Sequence, residues 1–202
     1  MSKKIVDIKL FPIGITILPK DIVPFHIFEE RYKKMVSDCI KNNTEFGIVY
    51  KSPNKSFVNI GCSVKIDKVY KKYDDGRYDI ILRGIKRFRI VSSKKYQDIW
   101  HSEISYVDEK YDSVNKKYFS KIHDKYLKLL ILLNKKNNFQ SEMDKEISFD
   151  FTKNILLPNQ IKQDIIRLND EEERLIYIDN FLTELLNDSE IKSNKKVDYN
   201  LN

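Results

Sequence analysis

Three histidines, two cysteines and five glycines set the chemistry open to this chain, and their spacing closes most of it. The histidines are His26, His101 and His123. Zinc sites draw paired ligands from one turn or helix at short spacing, and no two of these residues are so placed. Cys39 and Cys62 form no CxxC pair. Both sit in apolar patterns and read as reduced core residues. A phosphate-cradling loop needs clustered glycines followed by Lys and Ser or Thr. Gly14, Gly47, Gly61, Gly76 and Gly84 lie too far apart for that, or for a dinucleotide fingerprint. No G-x-S-x-G elbow marks a serine nucleophile. His26 precedes a helical pattern and has two readings: an acid–base group, or a ring braced at the helix entrance with a nitrogen bonded to backbone. With no partner visible the second is expected. The expectation is no catalytic residue, no metal, no cofactor and no bound nucleotide.

The sharpest charged cluster is Arg83-Gly84-Ile85-Lys86-Arg87-Phe88-Arg89-Ile90. On a strand, Arg87 and Arg89 share one face, and Phe88 and Ile90 take the other. Arg83, Lys86, Arg87 and Arg89 then form either an anion- or nucleic-acid-binding surface or a solvated face with local ion pairs. No aromatic residue interleaves on the arginine face to stack a base. Charge is uneven along the chain. Residues 1–100 hold 21 Lys+Arg against 11 Asp+Glu, and residues 101–202 hold 16 against 19, which divides the net +7 into +10 and −3. A basic front half attracts nucleic acid, acidic peptide or anionic lipid. Alanine is absent while Lys, Asn and Ile abound, a bias of AT-rich coding that weakens any single Lys as a signal.

The elements that must position these residues change in kind along the chain. Residues 5–11 and 13–18 read as extended pieces, and Pro19 and Pro24 bracket a rigid connection. From about Ile27 to Lys41, the residues Phe28, Tyr32, Met35, Val36, Cys39 and Ile40 fall on one helical face. Glu29 and Glu30 sit in its first turn, where they complement the helix dipole. Residues 46–50 form a buried strand. Cys62, Val64 and Ile66 alternate along a second that runs to Asp74-Asp75-Gly76, a hairpin signal. Tyr78, Ile80 and Leu82 mark the return strand, and a bulge at Gly84 shifts its register. Residues 99–107 give one more strand. Beyond them, residues 113–134, 144–157 and 159–168 read as helices, the last with Ile161, Ile165 and Leu168 inside. Residues 135–142 form a polar break. Asp170 and Glu173 resemble a capping box before a helix that buries Leu175, Ile178, Leu182, Leu185 and Leu186. The expected division is a barrel subdomain over 1–110, a helical subdomain over 111–188 and a polar, disordered tail over 189–202. No apolar run approaches the roughly 18 residues needed to cross a bilayer, and no signal-peptide cleavage site follows the N-terminus. A soluble, cytoplasmic protein is expected.

Several segments taken together resemble one family. Leu10-Phe11-Pro12, Leu18-Pro19 and Pro24-Phe25-His26-Ile27-Phe28-Glu29-Glu30-Arg31-Tyr32 are similar to the amino-terminal domain of Lon-type ATP-dependent proteases. Phe46-Gly47-Ile48-Val49, Ile60-Gly61-Cys62, Asp75-Gly76-Arg77-Tyr78 and residues 83–90 follow in the same order, and the resemblance spans roughly residues 8–186. It implies an α+β fold: a small PUA-like β-barrel with one inserted helix, followed by a C-terminal helical bundle. It also implies a non-catalytic domain that selects and holds protein substrates. The ATPase and Ser–Lys protease modules of full-length Lon have no counterpart here, so neither activity is expected. Asp164-Ile165-Ile166-Arg167 departs from the family pattern after Lys162-Gln163. Pro24, His26, Phe28, Glu29, Arg31, Tyr32, Gly84, Arg87 and Phe88 are the family-motif residues, expected to be structural. Pro24 sets the approach and Phe28 starts the buried stripe. The functional expectation is a protein- or peptide-recognition module, one role open to it being that of an adaptor in protein quality control. Its partner would be unfolded polypeptide or another protein. The alternative is RNA binding through the basic barrel surface.

Overall fold

The computed structural model describes residues 4–53, 56–111, 114–133, 142–153 and 155–198, with side chains to residue 188. Six strands come first: β1 (Ile5–Ile13), β2 (Ile22–Ile27), β3 (Phe46–Lys51), β4 (Phe57–Lys72), β5 (Tyr78–Tyr96) and β6 (Ile99–Tyr106). Helix α1 (Glu30–Asn42) lies between β2 and β3. Helices α2 (Lys116–Leu132), α3 (Asn159–Arg167) and α4 (Glu171–Asp198) follow, with a 3₁₀ turn at Ser148–Thr152 between α2 and α3. The chain forms two compact units. The first is Met1–Asp108 with Leu157–Arg167, and the second is Glu109–Leu156 with Leu168–Asn202. The division therefore does not follow a single boundary near residue 110: the segment carrying α3 belongs to the first unit.

In the first unit the pairings run β1–β3–β4–β5–β6 and return from β6 to β1, so five strands form a cycle. β2 pairs with β5. Only β1 and β3 are parallel among the described pairs, because β2 and α1 intervene as the crossover. The cycle encloses Ile8, Leu10, Val49, Phe88 and Ile104, with Trp100 and Tyr106 packed against them. Tyr32, Met35, Val36 and Cys39 are the buried face of α1, and the Phe11 and Tyr32 rings stack at 3.8 Å.

Several expectations need correction. Residues 14–18 form no strand; β1 ends at Ile13. Pro24 is not part of a connection into a helix. It sits within β2, opposite Ile81 of β5. α1 starts at Glu30, and Phe28 does not open its buried stripe, being 62% exposed. Ile40 also leaves that stripe, at 37% exposed. The helical face drawn from the sequence runs one turn too early because β5 claims residues 22–27 for the sheet. Gly76 does turn the β4–β5 hairpin, with φ +81° and its N–H bonded to Tyr73 O at 3.0 Å. A second hairpin, at Gln97-Asp98, carries φ of 45° and 61° without glycine.

Gly84 marks a close approach. The β4–β5 register shifts between the pairs Cys62↔Arg87 and Val64↔Gly84. A Cβ at residue 84 would collide with the Leu18 carbonyl oxygen. Lys20 N–H donates to Gly84 O at 2.8 Å, and Gly84 N–H to Asp21 O at 2.9 Å. α3 is tied to the same unit. Thr16 N–H donates to Asn159 Oδ1 at 2.7 Å and Lys162 Nζ to Asp21 Oδ2 at 2.6 Å. Arg87 Nη1 donates to Ile166 O at 2.8 Å. The buried residues of α3 are Gln163, Ile165 and Ile166, so Ile161 and Leu168 are less enclosed than their spacing suggests.

In the second unit Asn115 caps α2, accepting from Lys117 and Tyr118 N–H. α2 buries Ile122, Tyr126, Leu129 and Leu130. α4 buries Leu175, Ile178, Leu182 and Leu186, and Asp170 accepts from the N–H of Glu172 at 2.8 Å. Among the described residues of 144–157, the short 3₁₀ turn stands in place of the expected helix. Asp150 Oδ2 folds back to accept the N–H groups of Glu146 and Ile147, both at 3.1 Å, a local bond that competes with helix. Residues 135–141 of the expected polar break lie outside the described residues. The chain expected as a tail from 189 continues α4 to Asp198.

Candidate functional site

β2 follows the period of two that a half-buried strand requires. Val23, Phe25 and Ile27 turn inward, and Phe25 meets the Phe11 ring edge-on at 6.1 Å. Ile22, Pro24 and His26 turn outward. Phe28 follows in step just past the strand. Ile22 and Phe28 are 54% and 62% exposed. The outward row thus presents two large apolar side chains, a proline and a histidine.

Across the row, β5 supplies partners. Ile22 faces Arg83, Pro24 faces Ile81 and His26 faces Asp79. His26 Nδ1 lies 2.6 Å from Asp79 Oδ1, and Tyr73 donates its hydroxyl to Asp79 Oδ2 at 2.7 Å. The His26 ring stands 6.0 Å from both Phe28 and Tyr73. The His26 bond, then the Tyr73 bond, holds the Asp79 carboxyl below the ordinary range. The same Asp79 bond pushes the Tyr73 phenol up. Arg83 grips Asp67 through two bonds of 3.0 and 2.8 Å, which hold the Asp67 carboxyl low. His26 therefore bonds a carboxylate, not backbone as expected, and it does so on a strand.

The other motif residues separate into surface and interior. Glu29 is the N-cap residue of α1, with no side-chain capping bond. Its carbonyl accepts from Tyr32 and Lys33 N–H, and its carboxylate from Arg31 Nε at 3.0 Å. The Arg31 guanidinium lies 4.6 Å over the Tyr32 ring. Gly84, Arg87 and Phe88 are buried. The expected basic surface of Arg83, Lys86, Arg87 and Arg89 is not one surface. Arg87 is 0% exposed, Arg83 is committed to Asp67, and Arg89 is half-buried. Lys86 is exposed, with its ammonium 5.8 Å from the Tyr106 ring. The sequence reading missed Asp79, Tyr73 and Ile22. Only long-range pairing brings them to His26 and Phe28.

Elsewhere, His101 lines an open groove of about 560 Å³ with Lys9, Arg31, Lys34, Asp38 and Tyr96. Its Lys9 pairs with Asp38 at 3.3 Å. His123 Nε2 lies 2.7 Å from Glu142 O. Cys39 and Cys62 are free and buried, and burial pushes both thiols up. Among the described residues no cluster of His, Cys, Asp and Glu is arranged to hold a metal. No described helix is long and apolar enough to cross a membrane.

A mixed six-stranded sheet with one crossover helix, joined to a helical unit, is the architecture of Lon amino-terminal domains. A Lon N-terminal domain protein from Xanthomonas campestris superposes with a TM-score of 0.68 at 20% identity, covering 84% of this chain and 95% of that one. The N-terminal domain of Mycobacterium avium complex Lon protease gives 0.67 at 15% identity, covering 88% and 98%. At those identities the likeness is one of fold. The sequence itself matches the ATP-dependent protease La (LON) substrate-binding domain family over residues 7–184. The chain belongs to that family.

Proposed function

We propose that this chain is a polypeptide-recognition module that holds unfolded protein segments on the β2–β5 face by side-chain contact and performs no chemistry on them. One observation carries the reading: Ile22, Pro24 and Phe28 stand exposed in a row on a strand paired along one edge. Large apolar side chains left in water favour a partner that covers them, and full burial of each stabilises by roughly 1.5–3 kcal/mol. Pro24 offers no N–H, so a client strand cannot extend the ladder through it. Side chains must then carry the contact. The family description supports the same reading, since the substrates of a protease are polypeptides. Holding clients for a partner protease or chaperone is the adaptor role that fits such a module.

The test is binding of a fluorescent, reduced and carboxymethylated protein to the full chain at 50 and 200 mM salt. Ile22→Ser and Phe28→Ser should each weaken binding about tenfold, the loss of one apolar contact, with little dependence on salt. A single-stranded RNA probe held by six phosphate contacts would instead lose roughly 10³-fold over that range. Full affinity in both variants, or steep salt dependence with RNA as the tighter ligand, would overturn the reading.

A further inference from the structure

The row on β2 has a second row beside it. Cross-strand partners share a face of the sheet, and the β5 residues opposite β2 are themselves opposite lysines of β4. Arg83 faces Lys65, Ile81 faces Lys68 and Asp79 faces Lys71. Three lysines three residues apart would normally alternate between faces. Here they do not, because the β4–β5 register shifts between Ile66 and Lys68 and again between Val69 and Lys71. Each shift inserts one extra residue in β4, so that three residues of β4 advance against two of β5. Lys65, Lys68 and Lys71 thus stay in step with Ile22, Pro24 and His26 across the sheet. With strands about 4.8 Å apart, the two rows lie roughly 10 Å apart.

Charge on this face is also sorted. The ions of the middle row are committed, Arg83 to Asp67 and Asp79 to His26 and Tyr73. The lysines are in no ion pair among the described residues; Lys65 and Lys71 act on Asp67 and Asp79 only as the weaker, longer-range influences. Lys68 lies 4.5 Å over the Tyr70 ring and Lys71 4.4 Å over the Tyr73 ring, so the tyrosines hold the ammonium groups in place without neutralising them.

Resting on the polypeptide-recognition reading, we propose that this face selects extended client segments in which apolar and acidic residues alternate. An extended chain sends successive side chains to opposite sides. Laid along β5, it sets every second residue against the row Ile22, Pro24, His26 and Phe28, and the residues between against Lys65, Lys68 and Lys71. Apolar side chains suit the first row and carboxylates the second.

Four fluorescent octapeptides test this on the full chain: alternating Leu-Glu, alternating Leu-Lys, alternating Leu-Gln, and a block isomer of the Leu-Glu peptide. At 50 mM salt the alternating Leu-Glu peptide should bind about tenfold more tightly than the Leu-Lys peptide, a size set by three exposed charge pairs. That gap should narrow toward 0.5 M salt, as screening shortens the range of exposed charges. The triple substitution Lys65→Glu, Lys68→Glu, Lys71→Glu should invert the preference. Equal binding of the Glu and Lys peptides, or of the alternating and block isomers, overturns the selection while leaving the recognition reading intact. A failure of all four peptides to bind removes both. If oligouridylate displaces the Leu-Glu peptide and binds more tightly, the lysine row is a nucleic-acid contact and the proposal falls.

Discussion

Arg174 and Glu171, three residues apart on α4, are both buried and bonded at 2.8 Å. The pair is the centre of a larger set. Arg174 also donates to Ser148 Oγ at 3.1 Å, Leu168 O at 2.9 Å and Glu109 Oε2 at 2.9 Å. Glu171 accepts from Ser148 N–H at 2.6 Å and its hydroxyl at 2.7 Å. One guanidinium thus joins the start of α4, the 3₁₀ turn and the chain entering the second unit. Removing either partner leaves a buried charge unsatisfied, which costs about 3–5 kcal/mol. Arg174→Ala should lower stability by that amount in urea unfolding. Arg174→Met with Glu171→Leu should recover part of it, since the Glu171 charge goes with its partner while the less buried Glu109 carboxylate still loses Arg174. A double variant as unstable as Arg174→Ala would show that the network contributes by shape and not by charge.

Gly84 predicts a second stability effect of different origin. Its missing side chain makes room for the Leu18 carbonyl, and two backbone bonds to Lys20 and Asp21 fix that approach. Gly84→Ala should cost about 3 kcal/mol, the upper end for forced backbone movement. Gly14 is the control. A Cβ there would meet only Lys51 O at 3.9 Å, so Gly14→Ala should stay within about 0.5 kcal/mol. Equal melting temperatures for the two variants would contradict this account.

Arg87 separates a structural role from a ligand contact. Its guanidinium is enclosed and donates to Ile166 O at 2.8 Å. Arg87→Ala should destabilise by about 3 kcal/mol, the cost of stranding a buried acceptor and opening a cavity. The salt dependence of any ligand binding should not change. A stable variant with a shallower salt dependence would return Arg87 to the surface reading.

Arg87 also shows where the sequence stops being informative. Strand alternation correctly opposes it to Phe88. No local pattern shows that a helix 79 residues later covers its side of the sheet. The same holds for Phe28, whose spacing from Tyr32 fits a helix until the pairing of Ile22–Ile27 with β5 is known. Features set by local chemistry were legible: the Asp75-Gly76 turn, the Tyr32–Cys39 stripe and the family motif itself. The lysine row was not. Period-three spacing on a strand becomes a single face only through bulges that a partner strand defines.

The His26–Asp79 pair should appear in stability against pH. The Asp79 carboxyl is held below its ordinary range, first by His26 and then by Tyr73. Lys71, facing it from β4, acts in the same direction. The Tyr73 phenol, which donates to it, is pushed up by Asp79, and like any phenol it stays protonated through this range. A carboxyl whose folded pKa lies below its unfolded value adds stability above the unfolded value. That stability is lost as pH falls through the folded one. The unfolded value is about 3.9. Wild type should therefore exceed Asp79→Asn in urea midpoint at pH 5 to 7, and the gap should close progressively below about pH 4. A gap that persists undiminished at pH 3, or that grows on acidification, would show that Asp79 acts through its shape and hydrogen bonds. The pair also sets the His26 ring beside Phe28. Asp79→Asn should accordingly weaken binding of the carboxymethylated probe at pH 7.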